Sequence, residues 1–78
     1  MTPTELNQVA SQAYYDQLLK EREAAEFLGF TVRALQNWRV RGGGPEFIRS
    51  SSRAIRYQRR DLIAWADARR CRTTTDAA

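Results

Sequence analysis

Gly42-Gly43-Gly44-Pro45 is the strongest break in this chain. Three glycines followed by a proline cannot continue a helix, so any helix reaching Arg41 must stop there. Gly29 makes a second break upstream. Between them the two breaks limit the segment before Pro45 to short helices, which are stable only when packed on one another. The first spans about Lys20 to Leu28, with Ala24, Ala25, Phe27 and Leu28 supplying apolar surface and Glu21, Glu23 and Glu26 in water. Gly29 suits a left-handed C-terminal cap. Thr31 suits the N-cap of a second helix that ends at Arg41.

Helix, glycine, one residue, threonine, helix is the order of a helix-turn-helix. At about 100° per residue, Val32, Leu35 and Trp38 share the buried stripe of the second helix. Arg33, Gln36, Asn37 and Val40 fall on the opposite side, with Arg41 at its edge. Arg, Gln and Asn are the side chains that pair bidentately with guanine or adenine edges in a major groove. An ordinary solvated helix face favours Glu and Lys, and neither occurs between Thr31 and Arg41. The residue choice points to DNA.

Charge supports that reading. The net +4 hides an asymmetry: residues 1–30 carry Lys20 and Arg22 against five acids, whereas residues 31–78 carry eleven arginines against four. Twelve of the thirteen cations are Arg, the residue suited to planar recognition of phosphate and guanine. A basic half favours a polyanionic partner.

Seventy-eight residues allow one small domain, with two Trp, three Phe and three Tyr carrying much of its packing. No run is long enough to span a membrane, and the polar N-terminus is unlike a signal peptide, so a cytoplasmic, nucleoid-associated protein is expected. One cysteine and no histidine leave no internal disulfide and no ordinary zinc set. The glycine run lacks the Gly-Lys-Ser/Thr of a phosphate loop, and Ser50, Ser51 and Ser52 have no histidine to activate them. Neither catalysis nor a cofactor is expected.

After Pro45, Phe47-Ile-Arg49 and Ala54-Ile-Arg-Tyr57 are β-prone runs around Ser50-Ser-Ser-Arg53, which predicts a hairpin. A third helix follows from about Gln58 to Arg70, with Leu62, Trp65, Ala66 and the stem of Arg69 on its inner stripe. The expected core is Leu28, Val32, Leu35, Trp38, Ile55, Tyr57, Leu62 and Trp65. Residues 1–17 read as an arm or a frayed helix capped by Thr4, with Leu6, Val9 or Ala10, and Ala13 on one face. Tyr14, Tyr15, Leu18 and Leu19 look inward, and residues 71–78 read as a flexible tail.

The landmarks Leu18-Leu-Lys-Glu-Arg-Glu-Ala-Ala-Glu-Phe-Leu-Gly29, Thr31-x-x-x-Leu35-x-x-Trp38-Arg39, Pro45, Ile55-Arg-Tyr57 and Asp61-Leu62-x-x-Trp65 resemble, in order and spacing, a known family. It is that of the small winged helix-turn-helix proteins of the excisionase and AlpA type, related to the MerR DNA-binding domain. The resemblance covers residues 18–70 and implies three helices plus a two-stranded wing; an extra N-terminal helix in residues 1–17 is an option outside it. It implies that the second helix enters the major groove through Arg33 and Asn37, flanked by Gln36, Val40 and Arg41. The wing, Arg49 to Arg53 with Ser51 and Ser52, is expected on the backbone or in the minor groove, and Arg56 joins it as a candidate. Such proteins act as recombination directionality factors or as regulators in mobile elements. The implied partners are double-stranded DNA, further copies of the chain and a site-specific integrase.

Two departures stand out within the match. Lys20 occupies the place of an N-cap threonine and cannot accept capping bonds, so the first helix is expected to begin earlier or to fray. The wing tip carries serines where glycine is usual. Outside the groove-facing set, Thr31, Arg39, Arg59 and Arg60 are candidates for phosphate contact, Arg59 and Arg60 because cations at a helix start oppose the macrodipole. Two other outputs remain open: transcriptional regulation through the same DNA contact, and an adaptor whose arginines bind an acidic protein.

Overall fold

The computed structural model describes residues 11–74. A helical segment over residues 11–16 (α1) leads into strand β1 (Leu18–Lys20) and helices α2 (Glu21–Leu28) and α3 (Val32–Arg41). Strands β2 (Ile48–Arg49) and β3 (Ile55–Gln58) follow, then helix α4 (Arg59–Ala68). Thr4, Leu6, Val9 and Ala10 lie outside the described residues, as do residues 75–78 of the tail.

The fold is mainly helical with a small antiparallel sheet, consistent with a winged helix-turn-helix, but the sheet has three strands in the order β1-β3-β2. Leu18 and Leu19, expected to look inward, and Lys20, expected to open the first helix, instead form a strand that pairs with β3 and places Leu19 opposite Tyr57. Alternation along the strand explains what becomes of the four residues expected to look inward. Leu19 is buried, while Leu18 is 48% exposed, and Tyr14 and Tyr15 remain on the surface. Leu-Leu-Lys contains no β-branched residue, so propensity gave no sign of a strand. Its pairing depends on β3, which lies far along the chain.

Helix α2 neither begins early nor loses its first turn. Lys20 is its N-cap in extended conformation (φ −71°, ψ 162°), and its backbone N–H donates to Glu23 Oε1 at 2.9 Å. Glu23 thus performs the half of a capping box that does not require an acceptor on the cap side chain. At the other end Gly29 takes φ 76°, and Phe30 N–H reaches Ala25 O at 2.9 Å. Two residues later Thr31 Oγ1 accepts the Ala34 N–H at 3.1 Å and starts α3. The tight link between α2 and α3 therefore rests on one left-handed glycine and one hydroxyl.

Leu19, Ala24, Ala25, Leu35, Ile55, Tyr57 and Leu62 form the buried core, with Leu28, Val32, Trp38 and Phe47 packed partly against it. Trp65 is half-buried and joins Trp38 (ring centroids 5.0 Å apart) and Phe30 (6.1 Å) in a second, aromatic cluster. Phe30 also meets Trp38 edge-on at 5.2 Å, a packing role its place in the turn did not suggest. Ala66, expected on the inner stripe of α4, is exposed. The first turns of α4 pack on α2 and β3, whereas beyond Leu62 the helix meets Phe30 and Trp38 through Trp65, and the glycine turn through Trp65 and Arg69. Trp65 and Arg69 are long enough to reach that turn; the methyl of Ala66 is not.

Candidate nucleic-acid interface

Helix α3 lies with Leu35 in the core and turns Arg33, Gln36, Asn37, Val40 and Arg41 to the surface. Val40 is 88% exposed. Among the described residues no hydrogen bond or ion pair occupies the side chains of Arg33, Gln36, Asn37 or Arg41. The helix carries no acid in its first turn, and Arg39 and Arg41 in its last, where cations complement the macrodipole. The face is cationic, polar and uncommitted.

The hairpin between β2 and β3 is tied at its base, where Ser50 N–H donates to Ala54 O at 3.0 Å and Ala54 N–H to Ser51 O at 3.2 Å. Ser51, Ser52 and Arg53 are exposed at its tip, and the Arg53 guanidinium has no partner among the described residues. Arg49 lies over the Phe47 ring, 5.8 Å from its centroid. Arg56 projects from the middle strand on the face away from Ile55 and Tyr57, and donates to the carbonyl of Ile55 at 2.8 Å.

The other candidate cations have partners within the chain. Arg39 donates to the Tyr57 hydroxyl at 2.8 Å and to Glu21 Oε2 at 3.2 Å, with its side chain only 14% exposed. Its guanidinium sits 5.9 Å from the centroid of the Phe47 ring. Arg59 donates to Tyr14 O at 2.8 Å and Gln17 Oε1 at 2.7 Å, with the Tyr14 ring 3.9 Å beneath it. Arg60 forms an ion pair with Asp16. These contacts account for two arginines at the start of α4 without a phosphate. Arg39, Arg59 and Arg60, phosphate candidates by sequence, each hold a partner within the fold. Thr31, exposed, already uses its oxygen as the cap of α3.

Sequence reasoning could not see these engagements because Arg59, Arg60 and Arg39 meet partners from distant parts of the chain. The same holds for Phe47, which carries Arg39 on one side and Arg49 on the other. Arg22 is exposed on α2 and without a partner among the described residues. At the far end of α4, Arg70 donates to Asp67 at 2.7 Å; that hydrogen bond, and secondly the opposite charge, raise its pKa. No helix among the described residues is long and apolar enough to cross a membrane.

Residues 18–70 match the model of the helix-turn-helix domain family, which spans all the elements from β1 to the end of α4. The chain belongs to this family of small helix-turn-helix proteins of the AlpA and excisionase type, and is a DNA-binding helix-turn-helix protein. No curated protein matches it.

Proposed function

We propose that this protein is an excisionase-like architectural DNA binder, a recombination directionality factor that loads in several copies on repeated sites and bends DNA for an integrase. The observation that carries this is the division of its arginines. Arg39, Arg59 and Arg60 are consumed by internal contacts, while Arg33 and Arg41 on α3 and Arg53 on the wing are left without partners among the described residues. Cations left uncommitted on two adjacent exposed elements suit a phosphate backbone, which supplies most of the affinity.

Arg33, Asn37 and Gln36 read base edges in the major groove, with Val40 and Arg41 flanking them. Arg49, Ser51, Ser52 and Arg53 follow the backbone or the minor groove. Amide and guanidinium groups at helical spacing match the donor and acceptor pairs of adenine and guanine, whereas phosphate contacts set position without reading sequence. A single module buries roughly 600–1,000 Å² of its surface, which rarely gives high specificity alone. Repeated sites with touching copies supply the remainder, and deformable base steps take up the bend.

Footprinting on the DNA around an integrase attachment site, together with a circular-permutation bending assay, tests this. The expected result is several phased protections and a bend that grows with occupancy. One unbent site overlapping a promoter would make the protein a transcriptional regulator instead. Absence of salt-sensitive DNA binding would leave an adaptor for an acidic protein.

A further inference from the structure

We infer that Arg39 and Tyr57 form a pin that fixes the angle between helix α3 and the wing, so that this pair sets sequence specificity without touching DNA; the inference rests on the proposed mode of binding. Arg39 is on the inner side of α3, and its guanidinium reaches two other elements at once. It donates to the hydroxyl of Tyr57 on β3 at 2.8 Å and to Glu21 Oε2 at the start of α2 at 3.2 Å. Tyr57 is 1% exposed, so its hydroxyl has no access to a DNA strand.

Strand β3 is also one arm of the wing. A displacement of α3 relative to Tyr57 is therefore a displacement of the reading helix relative to Arg49 and Arg53. A second contact runs along the same line. The Phe47 ring has the Arg39 guanidinium 5.9 Å from its centroid and that of Arg49 at 5.8 Å, so one aromatic side chain links α3 to the base of the wing. Helix α2 anchors the arrangement through Glu21, whose Oε2 takes the Arg39 bond while Oε1 is buried without a partner.

Specific binding requires base contacts from α3 and backbone contacts from the wing in register. Nonspecific binding requires only cations near phosphates and tolerates a range of angles. Loosening the pin spreads the helix-to-wing angle, so a smaller fraction of molecules presents both elements in register, and apparent affinity for the target falls by that fraction. The scrambled duplex loses little.

The test compares wild type, Tyr57→Phe and Arg39→Gln on the duplex that wild type selects from a randomised pool and on a scrambled duplex, across a salt series. Tyr57→Phe deletes one hydroxyl and keeps the ring, so it is the milder variant; thermal melts establish that each variant is folded. The expected result for Tyr57→Phe is a loss of about fivefold in the target-to-scrambled ratio, the net bias of one hydrogen bond, with the salt slope unchanged. An unchanged ratio, or equal loss on both duplexes, overturns the inference, since general destabilisation moves both together. A salt slope lowered by about one in Arg39→Gln also overturns it, because Arg39 would then be a phosphate contact. A wild type that binds no DNA fails the proposed function itself, and is distinguished from the other outcomes by being seen before any variant is made.

Discussion

Trp65 donates its indole N–H to the carbonyl oxygen of Gly43 at 2.9 Å, which bolts the turn that ends α3 to helix α4. Arg69 closes on the same carbonyl at 2.8 Å while lying over the Trp65 ring, 4.4 Å from its centroid. The glycine run that stops α3 is thus also where α4 is held. Each glycine has its own reason to be there. Gly42 and Gly43 adopt φ 90° and 92°, whereas Gly44 has no positive φ and is pressed against the Trp38 side chain.

Gly44→Ala should therefore destabilise the protein through overlap, not through backbone strain. The new Cβ would overlap Trp38 Cβ and lie 2.9 Å from Trp38 Cγ. Forcing a methyl into so close a contact costs about 1–3 kcal/mol. In a chain of this size each kcal/mol lowers the melting temperature by about 4–8 °C. Gly43→Ala has open space for its methyl, and its cost of about 1–2 kcal/mol comes from the positive φ alone. Gly44→Ala should lower the melting temperature and shift the tryptophan fluorescence, because its methyl presses on Trp38; equal melts and spectra for Gly44→Ala and wild type would contradict the contact.

Arg59→Gln should release the N-terminal segment without weakening DNA binding. Arg59 holds Tyr14 O and Gln17 Oε1 and stacks on the Tyr14 ring, while its backbone N–H donates to Gln17 O at 3.0 Å. Loss of the side-chain bonds at this partly exposed site should remove about 1–2 kcal/mol of local stability, giving roughly tenfold faster amide exchange over residues 14–17. The salt dependence of DNA binding should match wild type. A flatter salt slope would mean that Arg59 contacts phosphate.

Local signals and distant ones explain what the sequence made legible. Gly29, Thr31 and Gly42 act on their immediate neighbours, and all three cap or end helices where their chemistry requires. The 3.6-residue period was enough to bury Leu35 and to turn Arg33, Gln36 and Asn37 outward. Strand β1 was not legible, because Leu18-Leu-Lys20 becomes a strand only through its pairing with β3. The roles of Arg39, Arg59 and Arg60 were hidden for the same reason. A sequence counts cations, but only folding determines which of them meet Glu21, Tyr14 or Asp16.

Thr31→Ala should weaken the start of α3. Its Oγ1 accepts the Ala34 N–H at 3.1 Å, one of the donors the first helical turn leaves unsatisfied. Loss of such a cap costs about 0.5–2 kcal/mol. Urea titration should show a lower midpoint at unchanged slope, because the exposed surface of the unfolded chain is the same. Thr31→Ser keeps the acceptor and should recover most of the loss; failure of Ser to rescue would mean the hydroxyl is not acting as the cap.

Asn37→Ala and Arg53→Ala should divide binding into its two components. Both side chains are exposed and without a partner among the described residues, so their removal disturbs no internal contact. Asn37 on α3 is assigned to an adenine edge, and losing one bidentate pair should cost about 1–3 kcal/mol on the preferred duplex. A scrambled duplex offers no such pair, so its affinity should stay at the wild-type value. Arg53 at the wing tip is assigned to phosphate, so Arg53→Ala should weaken both duplexes alike and reduce the salt slope by about one. Fluorescence anisotropy on the two duplexes across a salt series reads both effects. If Asn37→Ala keeps the wild-type preference, the reading face of α3 has been assigned to the wrong residues; if Arg53→Ala keeps the wild-type slope, the wing tip does not touch the backbone.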